Sequence, residues 1–224
     1  MGSLFLVRHA TTAASESGRN LGQASDPPLV PEGARLAARI GGAIAMELAE
    51  LPHDATRIVS SPALRCRQTA SAIAAEIGAE ETSIEVEPGL LEIAYGGWEG
   101  LTPSECRERD PELRERWEAD PFATRCPGGE SGGDVAARAM PVFEQVEGWL
   151  GAERGRTAIV VAHNHVNRLR LCALLGLPMS EYRRRVGQDP GGYSLVTFGP
   201  SVSVLRRLNC LAPPEGGWAR PPTG

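Results

Sequence analysis

The sequence predicts an α/β fold: a three-layer sandwich with a mainly parallel central sheet, helices on both faces and a small inserted cap. Three observations carry this. Short apolar runs of strand length alternate with longer segments of helical periodicity, the pattern of a parallel sheet wrapped by crossover helices. Two of those runs, LFLV before Arg8-His9 and IVVA before His163-Asn164-His165, end abruptly in polar residues, as strands do when they deliver side chains to a site at their carboxyl ends. Between residues 89 and 133 the alternation breaks into GGWEG, two Asp-Pro dipeptides and PGGESGG. That stretch reads as the inserted cap.

The elements follow in order. Ser3 to Val7 is a buried strand, and residues 10 to 30, rich in Ser, Gly and Pro, form a loop. Pro31 opens an amphipathic helix on which Leu36, Ile40, Ile44 and Leu48 recur every fourth position. Arg57 to Val59 is a second strand, and Ser61-Pro62 reads as a cap and first turn of a helix that Gly78 stops. Ser83 to Val86 is a third strand. Inside the insertion a polar helix starts near Thr102, and a further helix, Asp134 to Leu150 with a kink at Pro141, leads to the strand Thr157 to Ala162. A helix from Val166 to Leu175 ends at Gly176. Two closing strands, Ser194 to Phe198 and Val202 to Leu208, flank a Gly199-Pro200 turn.

At 224 residues the expectation is one domain over 1–211 and a loosely held Pro/Gly-rich tail at 212–224. A chain of this size buries roughly 70% of its unfolded surface, enough to fold without staples. All 23 basic residues are Arg, which removes Schiff-base and P-loop chemistry; biased codon usage accounts for the Arg-only composition. The net charge of -5 argues against a nucleic-acid partner. Five scattered cysteines without a CxxC pair encode neither a disulfide framework nor a zinc ribbon. No signal segment or long apolar span is read, so the expected setting is cytoplasmic, with no membrane partner. A homodimer is left open.

Two histidines at one sheet edge, one of them beside an arginine, suit phosphoryl chemistry. A neutral imidazole can attack phosphorus, and guanidinium forks can hold the oxygens. In order and spacing, LFLVRHATT (Leu4 to Thr12), SSPALRCRQTA (Ser60 to Ala70), LLEIAYGGWEG (Leu90 to Gly100), PGGES (Pro127 to Ser131) and IVVAH (Ile159 to His163) resemble the histidine phosphatase superfamily, the phosphoglycerate-mutase-like phosphatases. The resemblance runs from Leu4 to about Asn209. It implies His9 as the phosphorylated nucleophile, Arg8, Arg65 and His163 around the phosphate, and Glu92 as the proton donor.

The chain departs from that pattern at Ala10, where Gly is usual, at Ser15, where Asn is usual, and at Asn164-His165, where a Gly pair is usual. Ser15, Asn164 and His165 are therefore candidate substrate contacts. Other readings stand beside these. Arg65 could pair with a Glu of its own helix, and Glu99 competes with Glu92 as the acid. Arg168 is read as a structural ion-pair partner, and His165 as either a contact at the pocket rim or a helix-start residue. His163 and His165 lack the third ligand a zinc site needs, so neither a metal nor any other cofactor is expected.

The function so implied is a metal-independent phosphomonoesterase. It would hydrolyse a small phosphorylated metabolite through a phosphohistidine intermediate, best on the acid side because its acid must start protonated. Arg125 or Trp117 is expected in the pocket roof. The alternatives are a mutase-type phosphoryl transferase, disfavoured by the AYGGWEGLTP segment after Glu92, and an inactive binding protein on the same fold.

Overall fold

The computed structural model describes residues 2–52, 54–199 and 202–214. Its sheet forms because the strands β1 (Gly2–Arg8), β2 (Ala55–Ser60), β3 (Ile84–Val86), β4 (Arg156–Ala162), β5 (Tyr193–Phe198) and β6 (Ser203–Cys210) join in the order β3-β2-β4-β1-β5-β6. The first four strands of that order run parallel, whereas β5 lies antiparallel to β1 and β6 antiparallel to β5. Side chains alternate across a strand, so Leu4 and Leu6 enter one apolar cluster while Phe5 and Val7 enter the other. Val160 and Ile159 divide the same way on β4.

Each cluster is closed by helices. On one face α2 (Pro31–Ala49) and α3 (Leu64–Glu76) supply Ile40, Ile44 and Ile73; on the other α6 (Gly132–Ala152) and α7 (Asn164–Leu175) supply Val135, Phe143, Val166 and Leu169. This is the expected sandwich. The predicted loop at 10–30 also holds a one-turn helix, α1 (Ala13–Glu16), closed by a capping box between Thr12 and Ser15. The insertion carries two helices rather than one, α4 (Pro103–Arg109) and α5 (Pro111–Ala119). Pro111 cannot continue α4 and opens α5 instead. A last short helix, α8 (Tyr182–Arg185), precedes β5.

Three boundaries move for physical reasons. The α3 helix begins at Leu64, because the Asp26 carboxylate accepts from the Leu64 N–H at 2.8 Å, and the hydroxyl of Ser61 is engaged elsewhere. Ser131 caps α6, with Asp134 closing a capping box, so the helix starts at Gly132 and runs on through Pro141. The N-cap of α7 is His163 itself, so the helix starts at Asn164, two residues ahead of the predicted Val166. Pro200 and most of the tail lie outside the described residues; Ala212 is buried. Among the described residues no helix is long and apolar enough to cross a membrane.

Candidate active site

The site starts from sheet register. Arg8 pairs with Ala162 at the ends of β1 and β4, and the next N–H, that of His9, donates to the Ala162 carbonyl at 3.0 Å. His9 and His163 therefore leave the sheet side by side, with ring centroids 5.3 Å apart. His9 is 5% exposed. Its Nδ1 lies 2.8 Å from the Ala10 carbonyl oxygen, which can only accept, so Nδ1 carries the proton and Nε2 keeps its lone pair. Burial, with the Arg8 and Arg65 guanidiniums, lowers the His9 pKa to about 3. The ring is neutral at physiological pH.

Arg65, on the first turn of α3, is fully buried. It donates to the Gly22 carbonyl at 3.0 Å and to His163 Nδ1 at 3.3 Å, and its nearest carboxylate is Asp26 at 3.5 Å. The partner is thus a loop aspartate and not a glutamate of its own helix. Because a guanidinium only donates, His163 accepts at Nδ1 and donates from Nε2 to the Ser61 hydroxyl at 2.8 Å. Burial and Arg65 hold the His163 pKa well below its ordinary value. The Nε atoms of Arg8 and Arg65 are buried without a partner.

Glu92 is 4% exposed and lies at the start of α7. Its Oε1 accepts from the Ile93 N–H at 2.9 Å and from the His165 N–H at 3.3 Å, and it lies 3.3 Å from His165 Nδ1. Burial pushes this carboxyl up, but the neighbouring His165 and His163 and the Ile93 N–H outweigh it and leave the pKa lowered. The helix dipole acts in the same direction. Glu92 is a carboxylate in this state of the site.

The other candidates fall differently. Glu99 accepts from the N–H groups of Gly22, Gln23 and Tyr95 at 2.9 to 3.1 Å, which fastens the 22–23 loop to the insertion. A side chain at Gly22 would put its Cβ 2.2 Å from that carboxylate. Ser15 spends its hydroxyl on Thr12 within the α1 cap. Asn164 opens α7 with its Oδ1 buried and unpartnered. His165 lies in the first turn of α7, the second of its two readings, and not at a rim: it is 1% exposed and packed between Glu92, Tyr95, Trp117 and Tyr182. Trp117 is fully buried, whereas Arg125 is exposed and tied to Asp134. Arg168, read from sequence as an ion-pair residue, has no carboxylate within 4.0 Å among the described residues; its Nη1 lies 3.5 Å from the Arg183 carbonyl.

Several contributors were not visible as such in the sequence. Arg138 donates to the carbonyls of Gly89, Leu91 and Glu92 at 2.6 to 3.0 Å and pairs with Glu130, so the strip that carries Glu92 is clamped from α6. Gly96, at φ +55°, lets that strip pass Pro127, whose carbonyl would lie 2.2 Å from an added Cβ. A cavity of about 200 Å³ opens beside Arg65, lined also by Gly22, Gln23, Asp26 and Leu91. Among the described residues no group of three or more metal-ligating side chains converges.

Known proteins are similar to this chain in sequence and fold. The family model described as the histidine phosphatase superfamily (branch 1) matches residues 4–211. The chain is 34% identical over 215 residues to phosphoserine phosphatase 1 of Hydrogenobacter thermophilus, covering 93% of this chain and 92% of that one. It is 31% identical over 212 residues to an acid phosphatase of Mycobacterium tuberculosis, covering 95% and 94%. Against some longer mycobacterial relatives it spans about half their length, 53%. A solved mycobacterial glucosyl-3-phosphoglycerate phosphatase in complex with VO3 superposes with TM-score 0.75 at 27% identity, covering 92% of this chain and 98% of that one. The chain belongs to the histidine phosphatase superfamily, whose named relatives here are phosphatases.

Proposed function

We propose that the protein is a metal-independent phosphomonoesterase that hydrolyses a small phosphorylated metabolite through a phosphohistidine at His9. One observation carries the reading: a buried imidazole held neutral, its proton fixed on Nδ1 by the Ala10 carbonyl, its Nε2 lone pair free, and Arg8 and Arg65 close enough to depress its pKa. Nε2 attacks phosphorus and the bond to the ester oxygen breaks. Arg8, Arg65 and His163 receive the charge on the phosphoryl oxygens, a service that positioned cations perform without a metal. Glu92 protonates the leaving alkoxide, then takes a proton from the water that attacks phospho-His9.

Glu92 is ionised before substrate arrives, so its proton has to enter with the substrate. A phosphate monoester has a second pKa of about 6. The monoanion brings one proton, and the incoming negative charge raises the carboxyl's affinity for it. The acid-side optimum thus originates in the substrate. Relatives named for phosphoserine and glucosyl-3-phosphoglycerate support a small phosphorylated metabolite as the class.

The test is hydrolysis of p-nitrophenyl phosphate and a panel of phosphorylated metabolites in EDTA, with and without vanadate. Turnover should survive the chelator and be suppressed by vanadate, which imitates five-coordinate phosphorus. Strong chelator inhibition reversed by zinc or magnesium would overturn the mechanism; no turnover of any ester would mean a binding protein on this fold.

A further inference from the structure

Most arginines withdrawn from solvent in this protein are neutralised: Arg57 by Glu85, Arg65 by Asp26, Arg114 by Glu118, Arg138 by Glu130 and Arg170 by Glu147. Among the described residues, three part-buried arginines have no carboxylate within 4.0 Å, namely Arg8, Arg168 and Arg183. Glu92 acts on Arg8 and Arg168, and Arg168 and Arg183 act on His165. Arg168 Nη1 lies 3.5 Å from the Arg183 carbonyl, and the Arg183 guanidinium stacks 4.3 Å above Trp117, whose ring centroid is 6.3 Å from that of His165. Burial, followed by the charges of Arg183 and Arg8, lowers the Arg168 pKa, so the three cations are near enough to repel one another. Guanidinium groups do not deprotonate in proteins; Glu92 offsets part of the charge on Arg8 and Arg168, and Asp189 part of that on Arg8, and the positive excess that is left suits an anion.

Unmet hydrogen-bonding capacity points to the same place. The Nε atoms of Arg8, Arg168 and Arg183 and Gln188 Nε2 are donors buried without a partner. Unsatisfied buried groups in such number need an explanation, and a ligand is the economical one. A phosphoryl group held by Arg8 and Arg65 leaves Arg168 and Arg183 without a carboxylate within 4.0 Å among the described residues. The stack on Trp117 also holds the Arg183 fork oriented before any ligand arrives.

We propose that Arg168 and Arg183 form a second anion subsite beside the phosphate pocket, so that the leaving alcohol of the substrate carries a carboxylate or second phosphate of its own. The inference deepens the phosphomonoesterase reading and rests on it. Matched substrates isolate the charge: phosphoserine against phosphoethanolamine, and 3-phosphoglycerate against glycerol 3-phosphate, differ by the carboxylate. Fructose 1,6-bisphosphate against fructose 6-phosphate tests the second phosphate. Charge-assisted hydrogen bonds lead us to expect a preference in kcat/KM of about ten- to hundredfold for the acidic member of at least one pair. Arg168→Met and Arg183→Met should each erode that ratio, and the double variant should abolish it.

A wild-type ratio near one in every pair, or a ratio that survives in the double variant, would overturn the subsite while leaving the phosphatase reading intact. Absence of turnover on every ester, p-nitrophenyl phosphate included, would instead strike that reading. Calorimetric binding of the same pairs to His9→Ala then decides the subsite without turnover. Equal affinities within each pair would refute it, and tighter binding of an acidic member, lost in the double variant, would support it.

Discussion

Glu92 and Glu99 lie on one strip of chain, and their partners separate them. Glu92 is buried at the start of α7 beside His9 and His163, whereas Glu99 is held by three backbone N–H groups of the 22–23 loop and Tyr95. An alkoxide leaves badly without a proton, while nitrophenolate leaves well. Glu92→Gln should therefore lose about 10²- to 10⁴-fold on an alkyl or sugar phosphate and far less on p-nitrophenyl phosphate. In the wild type, kcat/KM on alkyl phosphates should fall as pH rises through the substrate's second pKa, about 6, and Glu92→Gln should flatten that limb. Glu99→Gln should weaken both substrates alike by loosening the loop. Steady-state kinetics on the paired substrates checks this; the leaving-group contrast appearing in Glu99→Gln instead would reassign the acid.

At the level of elements, what could be read from sequence was what local rules encode. The apolar runs ending at Arg8-His9 and His163 announced β1, β4 and a shared edge, because a strand that stops in polar residues has little reason to do so inside a core. Five ordered motifs then pointed to the family that the chain belongs to. The misplaced features share another cause, a side chain claimed by a distant partner. Ser61-Pro62 has the local form of a helix cap, yet the hydroxyl goes to His163 and the cap comes from Asp26, 38 positions upstream of Leu64. Arg168 has the helical setting of an ion-pair residue, yet among the described residues no carboxylate lies within 4.0 Å of it. Arg138 and Glu130 gave no sign that they clamp the Glu92 strip, since that role exists only once α6 packs beside it.

Across the whole molecule, burying neutral histidines makes folding depend on pH. Unfolded His9 takes up a proton below its ordinary 6.5, and folded His9 does so only at about 3. Each pH unit between those values therefore costs about 1.4 kcal/mol of stability, from a total of roughly 5–15 kcal/mol for a typical domain. The depressed His163 and His165 push in the same direction, and Glu92 adds a loss below its ordinary value of 4.5. Urea midpoints should hold above pH 6.5 and fall steadily towards pH 4, with His9→Asn falling less steeply; an identical slope in His9→Asn would mean that His9 is not held neutral in the fold. The same buried neutrality is what the mechanism needs from His9 as a nucleophile. The most direct test is rapid quenching of the enzyme during turnover of a radiolabelled phosphomonoester, followed by peptide mapping. The account predicts an acid-labile, alkali-stable label on the peptide carrying His9, absent from His9→Ala together with turnover. An acid-stable label, or undiminished labelling and turnover in His9→Ala, would contradict it.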